Sequence, residues 1–521
     1  MQRPPTSCRR QEYFKAQPVG PLPGKTLSDH IIDEQGHFWW RDTPIPEGWF
    51  APEEHMAGRL TIDSDGTARL ELDGLLPHKD RPRGNFSPSS SEDRTPRAIQ
   101  GILKTTGLHV ILLDAVGNGG TFNTDRFSYE KYLATQTLAG KAEPPRNYPD
   151  LRFSQVEVNL EGFEEWLDVG SIKVARTSRT LRLTNKRIPD MKFETVAGKM
   201  TFRHHLVDSR VGARLTHQVT LREFMSLRWR FSKPLTSEQA IAETSSLQTL
   251  FIVFTDTDYP LPWPTVRVAR TKLNYTLYFR RIDKSDSAPS WRTCPVRFPQ
   301  MRDTFGEVFT AWHNGLKTYG AGFYTFASTK RDGGQYLENR FINLMWGLES
   351  FHRTKFGDQP KDSTLQTKVE EILQQVAAKH RRWLGGVLRH QGEPSLKERL
   401  ITQFSALPIE LDPALLDAFA KKCTDSRNDL AHFGGNRGKA ANTNFLLDLS
   451  ALTEALSVLY HMTLLREIGI APDIIRKWMA DGPRSYVIKY HLVAAHLLSR
   501  DVLKQTDKGS KPDGEGKRPE L

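Results

Sequence analysis

Three cysteines in 521 residues, Cys8, Cys294 and Cys423, are too few and too far apart for a disulfide framework. No CxxC pair occurs, which argues against a thiolate zinc site and for a reducing, cytoplasmic setting. Long apolar runs are also missing. The best, residues 250–254, has the size of a strand and falls far short of a membrane span. The opening Met1-Gln2-Arg3-Pro4-Pro5 has no apolar signal core. Acidic residues are in deficit: 61 Asp and Glu face 73 Lys and Arg, giving a net charge of +12 and a pI near 9.4. That excess favours a polyanionic partner, because Lys and Arg gain affinity by displacing counterions from phosphates. No cofactor and no metal ligand set is expected.

What is present changes texture along the chain, and the fold class expected is α+β multidomain. The first three-fifths is β-rich. Leu60 and Ile62 alternate with polar residues, Asp65-Gly66 supplies a tight turn, and Ala68, Leu70 and Leu72 alternate on the return, which is a hairpin pattern. Ahead of it, Phe38-Trp39-Trp40 and Trp49-Phe50 cluster around prolines and are read as sheet-covering aromatics. Residues 77–97 are rich in Pro, Ser and charge and read as an exposed loop. Further strand-like runs cover residues 99–104, 108–113, 152–160, 172–184, 192–202, 214–221, 250–254 and 275–282. They suggest a large sandwich or a pair of smaller sheets with helices inserted.

From about Arg331 the period changes to that of a helix. Leu337, Phe341, Leu344, Leu348 and Phe351 form one apolar stripe. Residues 364–389 read as a second helical stretch, and Ser395-Leu396-Lys397-Glu398 has the form of a capping box opening a third. Asp412-Pro413 reads as an N-cap followed by proline in the first turn. Phe445, Leu449, Leu452, Leu456 and Leu459 make another stripe. The division expected is a β-rich sensor or regulatory domain over 1–325, an all-α bundle over 330–502, and a disordered tail over 503–521.

Within the bundle lies a polar island, Arg427-Asn428-Asp429-Leu430-Ala431-His432, closed by Gly434-Gly435. Arginine is a permanent cation suited to phosphate, and histidine exchanges protons near neutral pH. The spacing is not distinctive by itself, since Arg210 with His217 and Arg484 with His491 also occur. The Asn after the Arg, the helical setting and the Gly-Gly exit set the island apart.

A late helix bearing R-N-x-x-x-H in an α-helical bundle resembles the HEPN superfamily of ribonucleases. The N-terminal part is similar to that of ApeA-type anti-phage proteins. It has the opening Trp39-Trp40…Pro46-Glu47-Gly48-Trp49 and the hairpin Gly58-Arg59-Leu60-Thr61-Ile62-Asp63…Asp65-Gly66. The first bundle helix, with Leu348-Glu349-Ser350-Phe351-His352-Arg353, fits the same family. The resemblance implies a defence role, in which a sensor-like domain that answers a phage-derived trigger is fused to an RNase. It also implies homodimers or higher homo-oligomers built through the bundles, with no membrane involvement.

In such an enzyme the ribose 2′-OH attacks the adjacent phosphorus. His432 would serve as base or acid, Arg427 would bind the non-bridging oxygens, and Asn428 would hold the imidazole or a phosphate oxygen. No metal would be required. Glu349 and Asp429 are candidate supporting carboxylates. Five residues rotate an ideal helix by about 140°, so Arg427 and His432 do not share a face, whereas Asn428 and His432 do. An irregular helix start at Arg427, an Arg reaching round, or action in a partner's cleft would each resolve this.

Two basic segments complete the candidates. Lys173, Arg176, Arg179 and Arg182 lie in a stretch without acidic residues, suited to RNA or an anionic signal. Lys379, Arg381 and Arg382 sit on a bundle helix and would hold substrate backbone. The expected activity is a metal-independent endoribonuclease of abortive anti-phage defence. The alternatives are a non-catalytic HEPN module binding RNA or a nucleotide, and a structural dimerisation or adaptor protein.

Overall fold

The computed structural model describes residues 30–77, 96–121, 128–145, 151–213, 216–281, 287–331, 334–357, 363–388, 393–433 and 442–503. Residues 208–213, 216–219, 363–366, 432–433 and 442–443 are described through their backbone alone. Most of the expected 77–97 loop, the Gly434-Gly435 exit and the tail from 504 lie outside the described residues. The chain forms two compact units, residues 1–137 with 279–281, and residues 138–278 with 282–521.

The first unit is built from β1 (His30–Trp40), β2 (Met56–Asp63), β3 (Ala68–Leu72), β4 (Arg97–Leu103), β5 (His109–Thr121) and β6 (Tyr129–Ala134). Each is antiparallel to its neighbours. The order β4-β1-β2-β3-β6-β5 closes on itself through β4–β5, so these strands make a barrel with no free edge. The expected hairpin sets its register: Leu60 lies opposite Leu70 and Ile62 opposite Ala68, all buried, while Arg59, Arg69 and Glu71 face outward. Asp65 Oδ1 accepts the Thr67 amide at 2.8 Å and tightens the turn. A Cβ on Gly101 would lie 2.4 Å from the Phe38 ring, so only glycine lets that ring cross β4. Trp39 and Trp40 are buried as expected, but Trp49 and Phe50 are exposed.

β7 (Gln136–Gly140) carries the chain into the second unit. There follow β8 (Phe153–Asn159), α1 (Glu164–Leu167), the short pair β9 (Lys173–Arg176) and β10 (Leu181–Thr184), β11 (Met191–Thr195), β12 (Gly198–Ala213) and β13 (Thr216–Leu235). Next come α2 (Ser237–Thr255), β14 (Thr265–Val268) and β15 (Asn274–Phe279). The sheet order is β11-β12-β13-β8-β14-β15, antiparallel throughout. Residues 172–184 are therefore two strands and a turn, not one strand, and 192–202 is likewise divided by a turn at Val196-Ala197.

Residues 250–254 are not a strand; they close α2 and are fully buried. A short continuous apolar run cannot by itself separate strand from buried helix. The deciding signal is upstream, where Thr236 and Gln239 form a complete capping box. Phe251 and Phe254 of this helix pack on Trp166, which in turn meets Phe298.

Helices also begin before residue 331. α3 (Phe298–Met301), α4 (Phe305–Tyr319) and α5 (Ala321–Arg331) precede α6 (Leu337–Phe356). α4 and α5 are rich in Gly, Thr and aromatics, which have weak helix propensity and hide the period. The stretch 364–389 is two helices, α7 (Ser363–Gln375) and α8 (Ala378–Leu388). Then come α9 (Leu396–Ser405), α10 (Pro413–Phe433), α11 (Asn442–Glu467), α12 (Pro472–Ala480) and α13 (Ser485–Ala494). One buried cluster runs from Val158 on β8 to Leu497, so this sheet and these helices share a core. Trp229 of β13 against Phe309 of α4, with ring centroids 4.9 Å apart, is one of its joints.

Candidate active site

α10 starts where the sequence places it. Asp412 Oδ1 accepts the Ala414 and Leu415 amides at 2.8 and 3.0 Å, and Pro413 occupies the first turn. Leu416, Phe419, Ala420 and Cys423 form its buried stripe. Burial pushes the Cys423 thiol well above its usual range, so this residue is packing and not a nucleophile. Arg427, one turn after Cys423, continues the stripe just where the helix leaves the core, and its side chain is 37 % exposed.

The helix runs unbroken to Phe433, which removes an irregular start at Arg427 as the answer to the geometric mismatch. Arg427 and His432 stand about 140° apart around it, and Asn428 and His432 share a face. His432 itself is described through its backbone.

Arg427 Nη1 donates to Asn428 Oδ1 at 3.2 Å, and Nη2 lies 3.9 Å from Glu349 Oε2 on α6. That separation is too long for a hydrogen bond, so the carboxylate steers the guanidinium without saturating it. Glu349 is fixed from its other side. Its Oε1 accepts from Arg353 Nε and Nη2 at 3.2 and 3.1 Å, one helical turn on. Asp429 is half-buried on α10 beside Asn428.

The chain of charges goes deeper than the sequence suggested. Arg353 Nη1 donates to Glu393 Oε2 at 2.9 Å, and the same oxygen accepts Arg399 Nη2 at 3.4 Å. Arg399 is 1 % exposed, and its Nη1 lies 3.2 Å from His352 Nδ1. Arginine can only donate, so Nδ1 is the acceptor and His352 is neutral with its proton on Nε2. The line Arg427-Glu349-Arg353-Glu393-Arg399-His352 thus ties α10 to α6 and α9 through alternating charges. One signal for it lay in the sequence. Leu396, Leu400 and Phe404 set the inward stripe of α9, and Arg399 and Gln403 fall inside that stripe. A polar residue at a core position marks a buried network.

The basic candidates separate into different places. Lys379 and Arg382 are exposed on α8. Arg381 is committed elsewhere: Nε and Nη2 donate to the carbonyls of Val376 and Gln374 at 2.8 and 3.0 Å, capping the end of α7. Lys173, Arg176, Arg179 and Arg182 are exposed on β9, β10 and their turn, remote in fold from the bundle helices. Among the described residues, no group of three or more His, Cys, Asp or Glu side chains is arranged to hold a metal ion. No helix among them is long and apolar enough to cross a membrane.

Residues 33–312 match the family model described as ApeA N-terminal domain 1, and residues 342–474 match the one described as Apea-like HEPN. The first alone spans more than half of the 521 residues. No curated protein and no solved structure gives a significant match.

Proposed function

Because the chain belongs to the ApeA-type proteins, with an ApeA N-terminal domain ahead of an ApeA-like HEPN domain, we propose that it is an endoribonuclease of abortive anti-phage defence. The HEPN match supports a nuclease-type anti-phage role at family level. The observation that carries the finer reading is Arg427: a steered, partly exposed guanidinium on the same helix as His432.

The reaction is transesterification within RNA. A base takes the proton of the 2′-OH, the oxygen attacks phosphorus, and the 5′ oxygen leaves with a proton from an acid. The products are a 2′,3′-cyclic phosphate and a 5′-OH end. His432 performs one of the two proton transfers, being the side chain whose equilibrium lies near working pH. Arg427 binds the non-bridging oxygens and gains strength as charge builds there. Asn428, on the face of His432, orients the imidazole or a phosphate oxygen. Glu349 sets the direction of Arg427, and Lys379 and Arg382 hold flanking phosphates. The nucleophile and the acid–base groups come from RNA and protein, so no metal is assigned a role.

The regular helix favours a site built from two copies of the chain. With Arg427 and His432 on different faces, pairing two bundles brings one chain's histidine opposite the other's, as base and acid. The N-terminal domain is the regulator and answers an infection-derived trigger. Arg427→Ala and His432→Ala abolish RNA cleavage and growth arrest while circular dichroism stays that of wild type. Retained cleavage by either variant rejects the assignment, and full activity in a proven monomer rejects the shared site.

A further inference from the structure

Fifteen consecutive residues, 173–187, are exposed. They contain β9 and β10, which pair only with each other among the described strands. A lone two-stranded ribbon is marginal in water, yet this one is rooted firmly. Glu223 on β13 accepts the Ser171 amide, the Ser171 hydroxyl and the Ile172 amide at 2.8, 2.6 and 3.2 Å. Buried His204 lies against the same carboxylate at 3.1 Å. At the far end, the Thr177 amide donates to the Thr180 carbonyl at 2.8 Å and sets Ser178-Arg179 at the tip.

The register sorts the ribbon into two faces. Val174 opposite Leu183 and Arg176 opposite Leu181 make one; Lys173 opposite Thr184 and Ala175 opposite Arg182 make the other. Val174, Leu181 and Leu183 are 63, 65 and 43 % exposed. Lys173, Arg176, Arg179, Arg182, Lys186 and Arg187 are its charges, and no acidic residue occurs between Asp168 and Asp190. An anchored, uniformly cationic arm of this kind complements a polyanion.

Its shape narrows the polyanion. There is no aromatic residue from 172 to 187, so the ribbon offers no platform for unstacked bases of a single strand. The major groove of A-form RNA is too deep and narrow for side chains to read. The major groove of B-DNA, about 12 Å wide, admits a two-stranded ribbon. We propose that this ribbon is a docking arm for double-stranded DNA. Its Val174–Leu183 face meets the groove floor, where apolar side chains contact thymine methyl groups. Lys173, Arg179 and Arg182 reach the phosphates of the walls. The proposal stands apart from the ribonuclease site, since none of its residues lies on the bundle.

The test is fluorescence anisotropy of a labelled mixed-sequence DNA duplex titrated with the full chain over a range of salt. Duplex RNA of the same sequence, single-stranded RNA and anionic phosphatidylserine vesicles are run in parallel, the RNA probes with His432→Ala so that they stay intact. The combined variant Lys173→Gln, Arg176→Gln, Arg179→Gln, Arg182→Gln changes exposed side chains only, and its circular dichroism is checked. Wild type binds duplex DNA most tightly of the four. The variant weakens that binding about a hundredfold, and its log K against log salt slope falls by about 3.6, at about 0.9 per lost phosphate contact. A second variant, Val174→Ser with Leu181→Ser and Leu183→Ser, weakens duplex binding without changing the slope. DNA affinity untouched by the four glutamines overturns the proposal. Tighter binding to either RNA or to vesicles than to duplex DNA also overturns it.

Discussion

Arg427 on α10 reaches toward Glu349 on α6, 3.9 Å away, and Glu349 is itself gripped by Arg353 one turn along the same helix. The guanidinium is therefore aimed by a carboxylate that a second arginine holds still. Glu349→Gln keeps the shape and removes the charge. It is expected to lower kcat for RNA cleavage about tenfold, equivalent to about 1.4 kcal/mol in barrier height, with thermal stability little changed. Steady-state kinetics on a model RNA checks it; an unchanged kcat removes Glu349 from the positioning role.

The placement of α6 rests on one glycine. A Cβ on Gly322 of α5 would lie 2.6 Å from Phe351 Cβ and 2.7 Å from its Cα, and Tyr460 Oη donates to the Gly322 carbonyl at 2.8 Å. Gly322→Ala forces α5 off α6 two residues from Glu349, costing about 1–3 kcal/mol as an overpacked contact and lowering cleavage with it. Gly386 on α8 meets nothing within 4 Å, so Gly386→Ala is expected to stabilise its helix by up to about 1 kcal/mol. Thermal unfolding of the two variants side by side measures the contrast.

A buried carboxylate joins α2 to three bundle helices. Asp256 pairs with Lys330 at 2.7 Å and Arg484 at 2.8 Å, and His461 Nδ1 lies 3.6 Å away. Burial pushes this carboxyl up, but Lys330, His461 and Arg484 outweigh it and hold the group below its ordinary range. Asp256→Ala strands buried cations and is expected to cost about 3–5 kcal/mol, read as a lowered denaturant midpoint.

The same cluster gives a pH dependence. Burial lowers His461 from 6.5 to about 4, and its Nε2 proton is donated to the Val253 carbonyl. The folded state refuses a proton that the unfolded chain accepts. Stability from this group is complete above pH 6.5 and falls as pH drops toward about 4. His461→Phe, packed against Phe326 and Trp478, is expected to flatten stability over that window. An unchanged acid limb in this variant would assign the dependence to other groups.

Local signals carried much of the fold. The Leu60–Leu72 alternation set a hairpin register, Ser395 and Glu398 made the capping box their spacing implied, and Asp412 capped α10. What pattern could not give were nonlocal facts. Closure of the barrel depends on β5 pairing with both β4 and β6, and periodicity within one strand says nothing of that. The run 250–254 is equally apolar as strand or helix, and only the shared core with the sheet and bundle makes it a helix. At the site, Arg427, Asn428 and Glu349 were legible as residue types, and the structure brings these three together. The support behind them, Glu393, Arg399 and His352, was not, because an arginine in an apolar stripe reads as a lapse in the pattern until its partners are known.

The most direct measurement is the chemistry of the cut ends. RNA is extracted after induction of the intact chain and of His432→Ala, and each 5′ and 3′ terminus is mapped. New 5′-OH ends matched by 2′,3′-cyclic phosphates, present with the wild-type chain and absent with His432→Ala, are the predicted result. New 5′-phosphate ends, or identical cuts from both proteins, would contradict it.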